Sequence, residues 1–176
     1  MIRPNHDSIT ERALASLFVI VGCIHANVHA QENFADRCSG KWEGTMYIYA
    51  KGMMRDSVPV RLTVQKTDLP DKWIWKTSYL SESNPMEKNY RLVLKDGVTQ
   101  TYLTDEGDGV ELWNYLFIDK LYSVFETHDV MLTSSYELQG DRLVFEVTSG
   151  RKMEVKKGVT NYSVLNLQRA VFKKME

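Results

Sequence analysis

Aromatic side chains at every second position are the feature of this sequence best suited to hold a small molecule. In the segment KWIWKTSYL, Trp73, Trp75 and Tyr79 fall on one face of an extended strand. In YRLVLK, Tyr90 shares one face with two leucines. Because alternate residues of a strand point to the same side, these rings can line one apolar pocket, with hydroxyl and indole N–H groups as polar partners.

Two later segments extend this pattern. The segment ELWNYLF at 111–117 carries three aromatic residues on one face, but leucines on the other face leave the orientation of this strand open. The hairpin at 136–147 brings a tyrosine and a phenylalanine onto one face. The predicted cavity lining comprises Trp73, Trp75, Tyr79, Tyr90, Trp113, Tyr115, Phe117, Tyr136 and Phe145. The alternative is that these rings fill a solid interior, as side chains do in small barrels.

The residues that could support catalysis or bind a metal form no recognisable site in the sequence. Cys38 lies about ninety positions before His128, and neither stands in a local catalytic signature. His128, beside acidic residues, is typical of a solvated turn. The acidic cluster at 105–111 lacks the spacing of a calcium loop, and zinc needs at least three protein ligands. The sequence therefore selects no catalytic residue, no metal site and no cofactor, and favours a non-enzymatic protein.

The strands that must position the aromatic residues follow from period-2 alternation, which dominates from Trp42 onward. Turn signals separate the strands, among them DLPD at 68–71 and QGD at 139–141. The ten predicted strands span 41–50, 58–67, 72–80, 88–95, 99–104, 109–118, 121–128, 130–138, 142–149 and 161–174.

Ten such strands, joined by short turns, predict an all-β, up-and-down meander. An open meander would expose two strand edges that favour aggregation, and closure into a barrel removes both. The sequence therefore predicts a single closed antiparallel β-barrel of 8–10 strands. A β-sandwich is the alternative, although sandwiches usually need long crossover connections.

The segment GKWEG at 40–44, which opens the first strand, resembles the Gly-x-Trp signature of the calycins, the group that contains the lipocalins and the fatty-acid-binding proteins. This resemblance implies a lipocalin-like barrel, here in an exported bacterial relative. It also implies that an arginine or lysine of the last strand lies over Trp42 and closes the end of the barrel, and Arg169 is the residue that this sequence offers. Gly40 would let the backbone pass close to the ring, and Gly44 would allow the strand to bend.

The first thirty residues predict an export signal. Residues 13–24, ALASLFVIVGCI, form a charge-free apolar run that is too short to span a bilayer. Cleavage after Ala30 would divide the chain into a signal peptide, 1–30, and a β-barrel domain, 31–176. Alternatively, IVGC at 20–23 resembles a lipobox, which would make 1–22 the signal and place a lipid anchor on Cys23. We expect an exported protein, periplasmic or secreted or lipid-anchored in the envelope, with no transmembrane span in the mature chain.

Charge restricts the class of partner. The chain contains 22 Lys and Arg residues and 23 Asp and Glu residues, and nucleic-acid binding usually needs a basic face. The sequence therefore predicts no nucleic-acid partner. A basic group at 151–157 could contact anionic lipid headgroups, but without an amphipathic helix it is interpreted as a solvated hairpin.

Together these features predict a non-enzymatic barrel that binds a small apolar or amphipathic ligand in its interior. The alternative hypothesis is an envelope protein with a solid barrel that binds a macromolecular partner at its rim or outer face.

Overall fold

The computed structural model describes residues 32–176, apart from the side chains of 154–156. The predicted signal peptide, its alternative 1–22 and the possible lipid anchor at Cys23 lie outside the described residues. Across the described range, no helix combines the length and the hydropathy needed to cross a bilayer.

One short helix precedes eleven strands. Helix α1 is Phe34–Arg37. The strands are β1 (Gly40–Ala50), β2 (Met53–Lys66), β3 (Lys72–Tyr79), β4 (Met86–Asp96), β5 (Thr101–Asp105), β6 (Glu111–Phe117), β7 (Lys120–Thr127), β8 (Val130–Gln139), β9 (Arg142–Lys156), β10 (Val159–Tyr162) and β11 (Asn166–Lys174).

The strands form one closed antiparallel barrel. From β1 to β9, each strand pairs with the next along the chain. Strand β11 then pairs with β9 on one side and with β1 on the other, so that Trp42 faces Lys174 and Ala50 faces Asn166 across the closing pair. All strands except β10 belong to this closed ring of ten strands, which confirms the predicted closed up-and-down barrel of 8–10 strands.

The last predicted strand, 161–174, is interrupted between β10 and β11. The N–H of Ser163 donates to the carbonyl of Arg151 at 2.9 Å, and the N–H of Leu165 donates to the carbonyl of Ser149 at 3.0 Å. This irregular segment lets β10 continue alongside the far end of β9, so the β9–β10 hairpin extends beyond the ring of strands. Strand β9 is accordingly longer than the predicted 142–149.

Helix α1 lies across one end of the barrel, which we call the closed end. The side chain of Asn33 accepts a hydrogen bond from the N–H of Asp36 at 2.9 Å and so caps the helix. Phe34 and Cys38 are fully buried, and the N–H of Phe34 donates to the Tyr102 hydroxyl at 3.1 Å. The closed end is therefore filled by a packed core that connects the helix to the strands. The opposite end, with the β1–β2, β3–β4, β5–β6, β7–β8 and β9–β10 turns, is the open end.

Trp42 is the buried ring at which the first and last strands meet. Its indole N–H donates to the carbonyl of Cys38 at 2.8 Å, and the ring is 1% exposed. The Nζ of Lys174 lies 5.4 Å from the ring centroid, within the range of a cation–π interaction. The closing cation is thus a lysine at the very end of β11.

The prediction that Arg169 covers Trp42 is wrong. In the antiparallel register, Arg169 lies opposite Tyr47, and its Nε is 3.3 Å from the carboxylate of Glu146 on the outer face. The start of β1 must pair with the end of β11, so the middle of β11 cannot reach the ring of Trp42.

Two glycines of β1 permit the close approach of β11. Gly40 has φ +130°, a conformation that side chains disfavour, and a Cβ there would lie 2.9 Å from Cε of Lys174. A Cβ on Gly44 would lie 2.5 Å from the carbonyl oxygen of Val171. These two positions therefore contribute to closure through the absence of a side chain.

Candidate binding cavity

The open half of the barrel contains a cavity of about 190 Å³. Its apolar wall consists of Trp75, Leu92, Leu112, Leu121, Phe125, Leu132, Phe145 and Val147. Its polar groups belong to Thr77, Tyr79, Lys88, Tyr90, Thr104, Glu106, Asn114, Ser134, Tyr136 and Gln168. The cavity thus combines apolar surface with polar groups that can orient a ligand, as small-molecule sites do.

An aromatic cluster forms the floor of this cavity. The rings of Trp75 and Tyr136 meet edge to face at 5.1 Å, and those of Tyr136 and Phe145 stack at 4.5 Å. Phe34 of α1 stacks on Trp75 from below at 6.4 Å. The helix that fills the closed end therefore also supports the floor of the cavity.

Of the nine residues predicted to line a cavity, the structure places five on its wall. They are Trp75, Tyr79, Tyr90, Tyr136 and Phe145. Trp73 also faces inward but lies in the packed core near the closed end, where its indole N–H donates to Oδ1 of Asp36 at 2.9 Å. The prediction that Trp73 lines the cavity is therefore wrong, although its face of the strand is as expected.

The three aromatic residues of β6 face the outside of the barrel. Trp113, Tyr115 and Phe117 are 51%, 50% and 65% exposed, so the prediction that they line the cavity is wrong. The opposite face of β6 points inward, with Leu112 and Asn114 on the cavity wall. Both faces of this strand are apolar, so alternation alone could not orient it.

Asn114 is a residue of β6 that the sequence reasoning missed. Its buried side-chain amide donates to Oγ1 of Thr104 at 3.0 Å and to the carbonyl of Leu112 at 2.7 Å. These bonds fix the amide in the barrel wall beside the cavity. In the sequence, Asn114 shares one face of the strand with Leu112 and Leu116, two positions before and after it. A polar residue on an otherwise apolar face was the only local signal for an inward-facing site.

Lys88 is the second missed residue and the cation nearest the cavity interior. It lies on β4 on the same face as Tyr90, and its Nζ is 5.7 Å from the centroid of that ring. Among the described residues, no carboxylate lies within 4.0 Å of its Nζ. Because Lys88 is two residues before Tyr90, the alternation of a strand places both on the same face, and this could have revealed the position.

An open groove of about 780 Å³ adjoins the mouth of the cavity. Tyr79, Lys88 and Gln168 line both spaces. The outer walls of the groove come from the start of β2, from the β3–β4 connection at 80–85 and from Met86, the first residue of β4. Lys88 therefore stands at the boundary between the interior and the solvent.

The tyrosine hydroxyls of the cavity stay protonated at neutral pH. Burial raises the pKa of Tyr79 and, with a smaller opposing effect from Trp75 and Thr77, the pKa of Tyr136. Burial also raises the pKa of Tyr90, and the nearby carboxylate of Glu106 raises it further. These phenols can therefore act as neutral hydrogen-bond donors toward a ligand but not as general bases.

The residues that could carry catalysis lie far apart. Cys38 is buried at the closed end, where desolvation raises the pKa of its thiol to about 12. His128 is exposed in the β7–β8 turn at the open end. Within residues 32–176, no group of three or more His, Cys, Asp and Glu side chains is placed to hold a metal ion. Cys38 and His128 therefore form no catalytic pair.

Comparison with known proteins gives matches among solved structures but not among family models or curated proteins. No family model matches it, and no curated protein matches it. Among solved structures, it is similar to a single-residue variant of the fluorescent protein UnaG, with 17% identity over 79% of this chain and 96% of that chain and a TM-score of 0.48. A second UnaG variant shows 16% identity over 80% of this chain and 99% of that chain, with a TM-score of 0.47. The ten-stranded meander, closed at a Gly-x-Trp segment with a cation over the ring, gives this chain a calycin-like barrel fold.

Proposed function

We propose that this protein is a non-enzymatic barrel that binds a small amphipathic molecule, with the apolar part in the cavity and a negatively charged group at Lys88. The observation that carries the proposal is the position of Lys88, without a carboxylate partner among the described residues, at the junction of the cavity and the groove. An anionic group placed there would form a charge-assisted hydrogen bond.

The size of the cavity restricts the ligand. A volume of about 190 Å³ is below the roughly 300–1,000 Å³ typical of ligand pockets. The interior therefore suits a short apolar chain or a single ring system, and any bulkier polar part would extend past Lys88 into the groove. Neutral tyrosine hydroxyls along the wall would accept or donate hydrogen bonds to polar atoms of the ligand.

We also propose that the protein acts outside the cytoplasm, in the periplasm, as a secreted protein or lipid-anchored in the envelope. The charge-free apolar run at 13–24 and the small residue Ala30 after it support this proposal. Sequencing the N-terminus of the protein recovered from its native source tests it. An N-terminus at residue 31, or a lipidated Cys23, is the expected result, and an uncleaved chain in the cytoplasm would contradict it.

Native mass spectrometry after incubation with a lipid extract tests ligand binding. We expect one adduct per chain, and a single unliganded mass with every extract would contradict the proposal. Titration with decanoate and with decanol then tests the charge at the mouth. We expect decanoate to bind about tenfold more tightly, since hydrogen bonds to charged groups contribute about 1.5–3 kcal/mol.

A matched pair of variants isolates Lys88. Lys88→Met should remove the preference for decanoate, whereas Lys95→Met, at an exposed lysine near the closed end of β4, should retain it. An unchanged preference in Lys88→Met would contradict the assignment of the anionic group to this residue.

A second candidate function, binding of a macromolecular partner at the outer face, is favoured by the exposed aromatic residues of β6. Phe117 contacts Tyr122 of β7 edge to face at 6.0 Å, so the outer surface carries adjoining exposed rings. Exposed apolar patches often mark interaction sites. Substitution of Trp113 and Phe117 with serine should then abolish partner capture and leave decanoate binding unchanged, whereas unchanged capture would exclude this surface.

A further inference from the structure

Two neighbouring hairpins at the open end combine positive charge with exposed methionines. The first is the β1–β2 hairpin at 50–57, and the second is the β9–β10 hairpin at 150–159. They stand side by side because β11 pairs with both β1 and β9, and the N–H of Lys51 donates to the carbonyl of Leu165 at 2.8 Å. We call the side chains of Lys51, Met53, Met54, Arg55, Arg151, Lys152, Met153 and Lys157 the basic rim.

The charge of this region differs from that of the whole chain. These residues, 50–57 and 150–159, include six Lys or Arg residues and two Asp or Glu residues, a local net charge of +4 in a chain whose net charge is −1. Within the described part of the chain, no carboxylate lies within 4.0 Å of any basic-rim cation. By contrast, Arg61, Lys76 and Lys120 on the barrel wall each have a carboxylate partner. No described side chain therefore neutralises the rim cations, and an external anion can bind them.

The apolar side chains of the same hairpins are exposed. Met53, Met54 and Met153 are 55%, 59% and 50% exposed, and Val159 at the start of β10 is 52% exposed. Methionine is flexible and adapts to irregular apolar surroundings. A surface that mixes cations with such side chains is complementary to the lipid–water interface, where anionic headgroups lie directly above hydrocarbon.

We propose that the basic rim docks the barrel on an anionic lipid bilayer. The arginines and lysines contact the headgroups, and the methionines enter the interfacial region. The charge complementarity favours a lipid surface over a nucleic acid, because a nucleic acid would engage the cations and leave the methionines in water. Asp56 at the end of the first hairpin also lines the groove at the cavity mouth, so a docked barrel would hold that mouth close to the membrane.

Acidic residues elsewhere on the open end orient this docking. Asp105, Asp108 and Glu111 lie at the β5–β6 turn, across the barrel from the closing pair β1–β11. An anionic surface repels that side of the mouth and attracts the hairpins. The barrel should therefore tilt so that the basic rim contacts lipid and the β5–β6 turn faces water.

Vesicle flotation of the full chain tests the proposal. We expect binding to phosphatidylcholine vesicles that contain about 30% phosphatidylserine, weaker binding to pure phosphatidylcholine, and loss of the difference at about 0.5 M salt, because ionic screening weakens surface electrostatics. Equal binding to both vesicles would overturn the proposal, since the uncharged segment 13–24 could then account for it. Absence of binding to either vesicle, or capture of a duplex DNA probe in place of vesicles, would also overturn it.

A matched pair of double variants locates the surface. Arg151→Ala with Lys152→Ala should weaken binding to anionic vesicles by more than about tenfold, given roughly 1 kcal/mol per basic residue near such a surface. Lys95→Ala with Lys173→Ala removes the same charge from exposed positions at the closed end and should have little effect. An equal loss in both pairs would show that net charge, and not the basic rim, drives binding.

Two further binding measurements on variants separate membrane docking from ligand binding. Met53→Ser with Met54→Ser should weaken vesicle binding at low salt, where the cations still act; unchanged binding would remove the methionines from the proposed contact. Decanoate binding in solution should be unchanged in the Arg151→Ala, Lys152→Ala variant. A loss of decanoate binding there would mean that the hairpins maintain the cavity, and the docking assignment would fail.

Discussion

Replacement of Trp42 with alanine should lower the free energy of unfolding by about 3–5 kcal/mol, because the ring is almost fully buried and its removal leaves a cavity. Two contacts contribute to this loss. The carbonyl of Cys38 loses its indole donor at 2.8 Å, which costs about 1 kcal/mol. The ammonium of Lys174 loses the ring face at 5.4 Å, which costs about 0.5–1 kcal/mol.

Double-mutant cycles test whether Trp42 interacts with Lys174 or with Arg169, which also lies on β11. The cycle of Trp42→Leu with Lys174→Met should give a coupling energy of about 0.5–1 kcal/mol. The matched cycle of Trp42→Leu with Arg169→Met should give a coupling near zero, because Arg169 contacts Glu146 on the outer face.

Urea unfolding followed by far-UV circular dichroism measures these energies, since tryptophan fluorescence would change with the substitution itself. A cost below about 1 kcal/mol for Trp42→Ala would refute the burial of the ring at the barrel closure. A coupling to Arg169 that exceeds the coupling to Lys174 would refute the register of β1 and β11.

Two more predictions concern the stability contributed by Cys38 and by Gly44. The pKa of the Cys38 thiol rises from 9.0 to about 12 on folding, so the unfolded chain loses the thiol proton at a lower pH than the folded chain does. Between these two pKa values, this group should lower the free energy of unfolding by about 1.4 kcal/mol for each unit of increasing pH. Urea unfolding from pH 8 to pH 10.5 should thus show a shallower decline for Cys38→Ala, and identical slopes would contradict the burial of the thiol. Gly44→Ala should destabilise the protein by about 1–3 kcal/mol, because its Cβ would lie 2.5 Å from the carbonyl oxygen of Val171. The control Gly97→Ala, whose nearest contact would be 4.0 Å away, should be nearly neutral, and equal effects in thermal unfolding would argue against close approach of β11.

Strand positions were predictable because they depend on local alternation. In β3, Lys76 and Ser78 mark the outer face, so the inward direction of Trp75 and Tyr79 follows from the sequence. In β6, leucines and aromatics occupy opposite faces, and only the pairing with β5 and β7 determines which face is buried. Periodicity therefore orients a strand only where one of its faces is polar.

The identity of the closing cation and the extent of the cavity depend on contacts between distant segments. Lys174 and Arg169 lie on the same strand, and the antiparallel register with β1 decides which of them reaches Trp42. Trp73 and Trp75 share a face, but helix α1 fills the space beside Trp73, whereas Trp75 borders the cavity. No local pattern in the sequence contains this information.

Titration of decanoate into a variant with a blocked cavity tests the central claim most directly. Ser134 lies on the cavity wall, and Ser134→Trp would place an indole in the space of about 190 Å³. We expect one binding site for decanoate in the unmodified protein and loss of that binding in Ser134→Trp, with unfolding in urea used to confirm that the variant is folded. Equal binding by the two proteins would contradict an internal binding site.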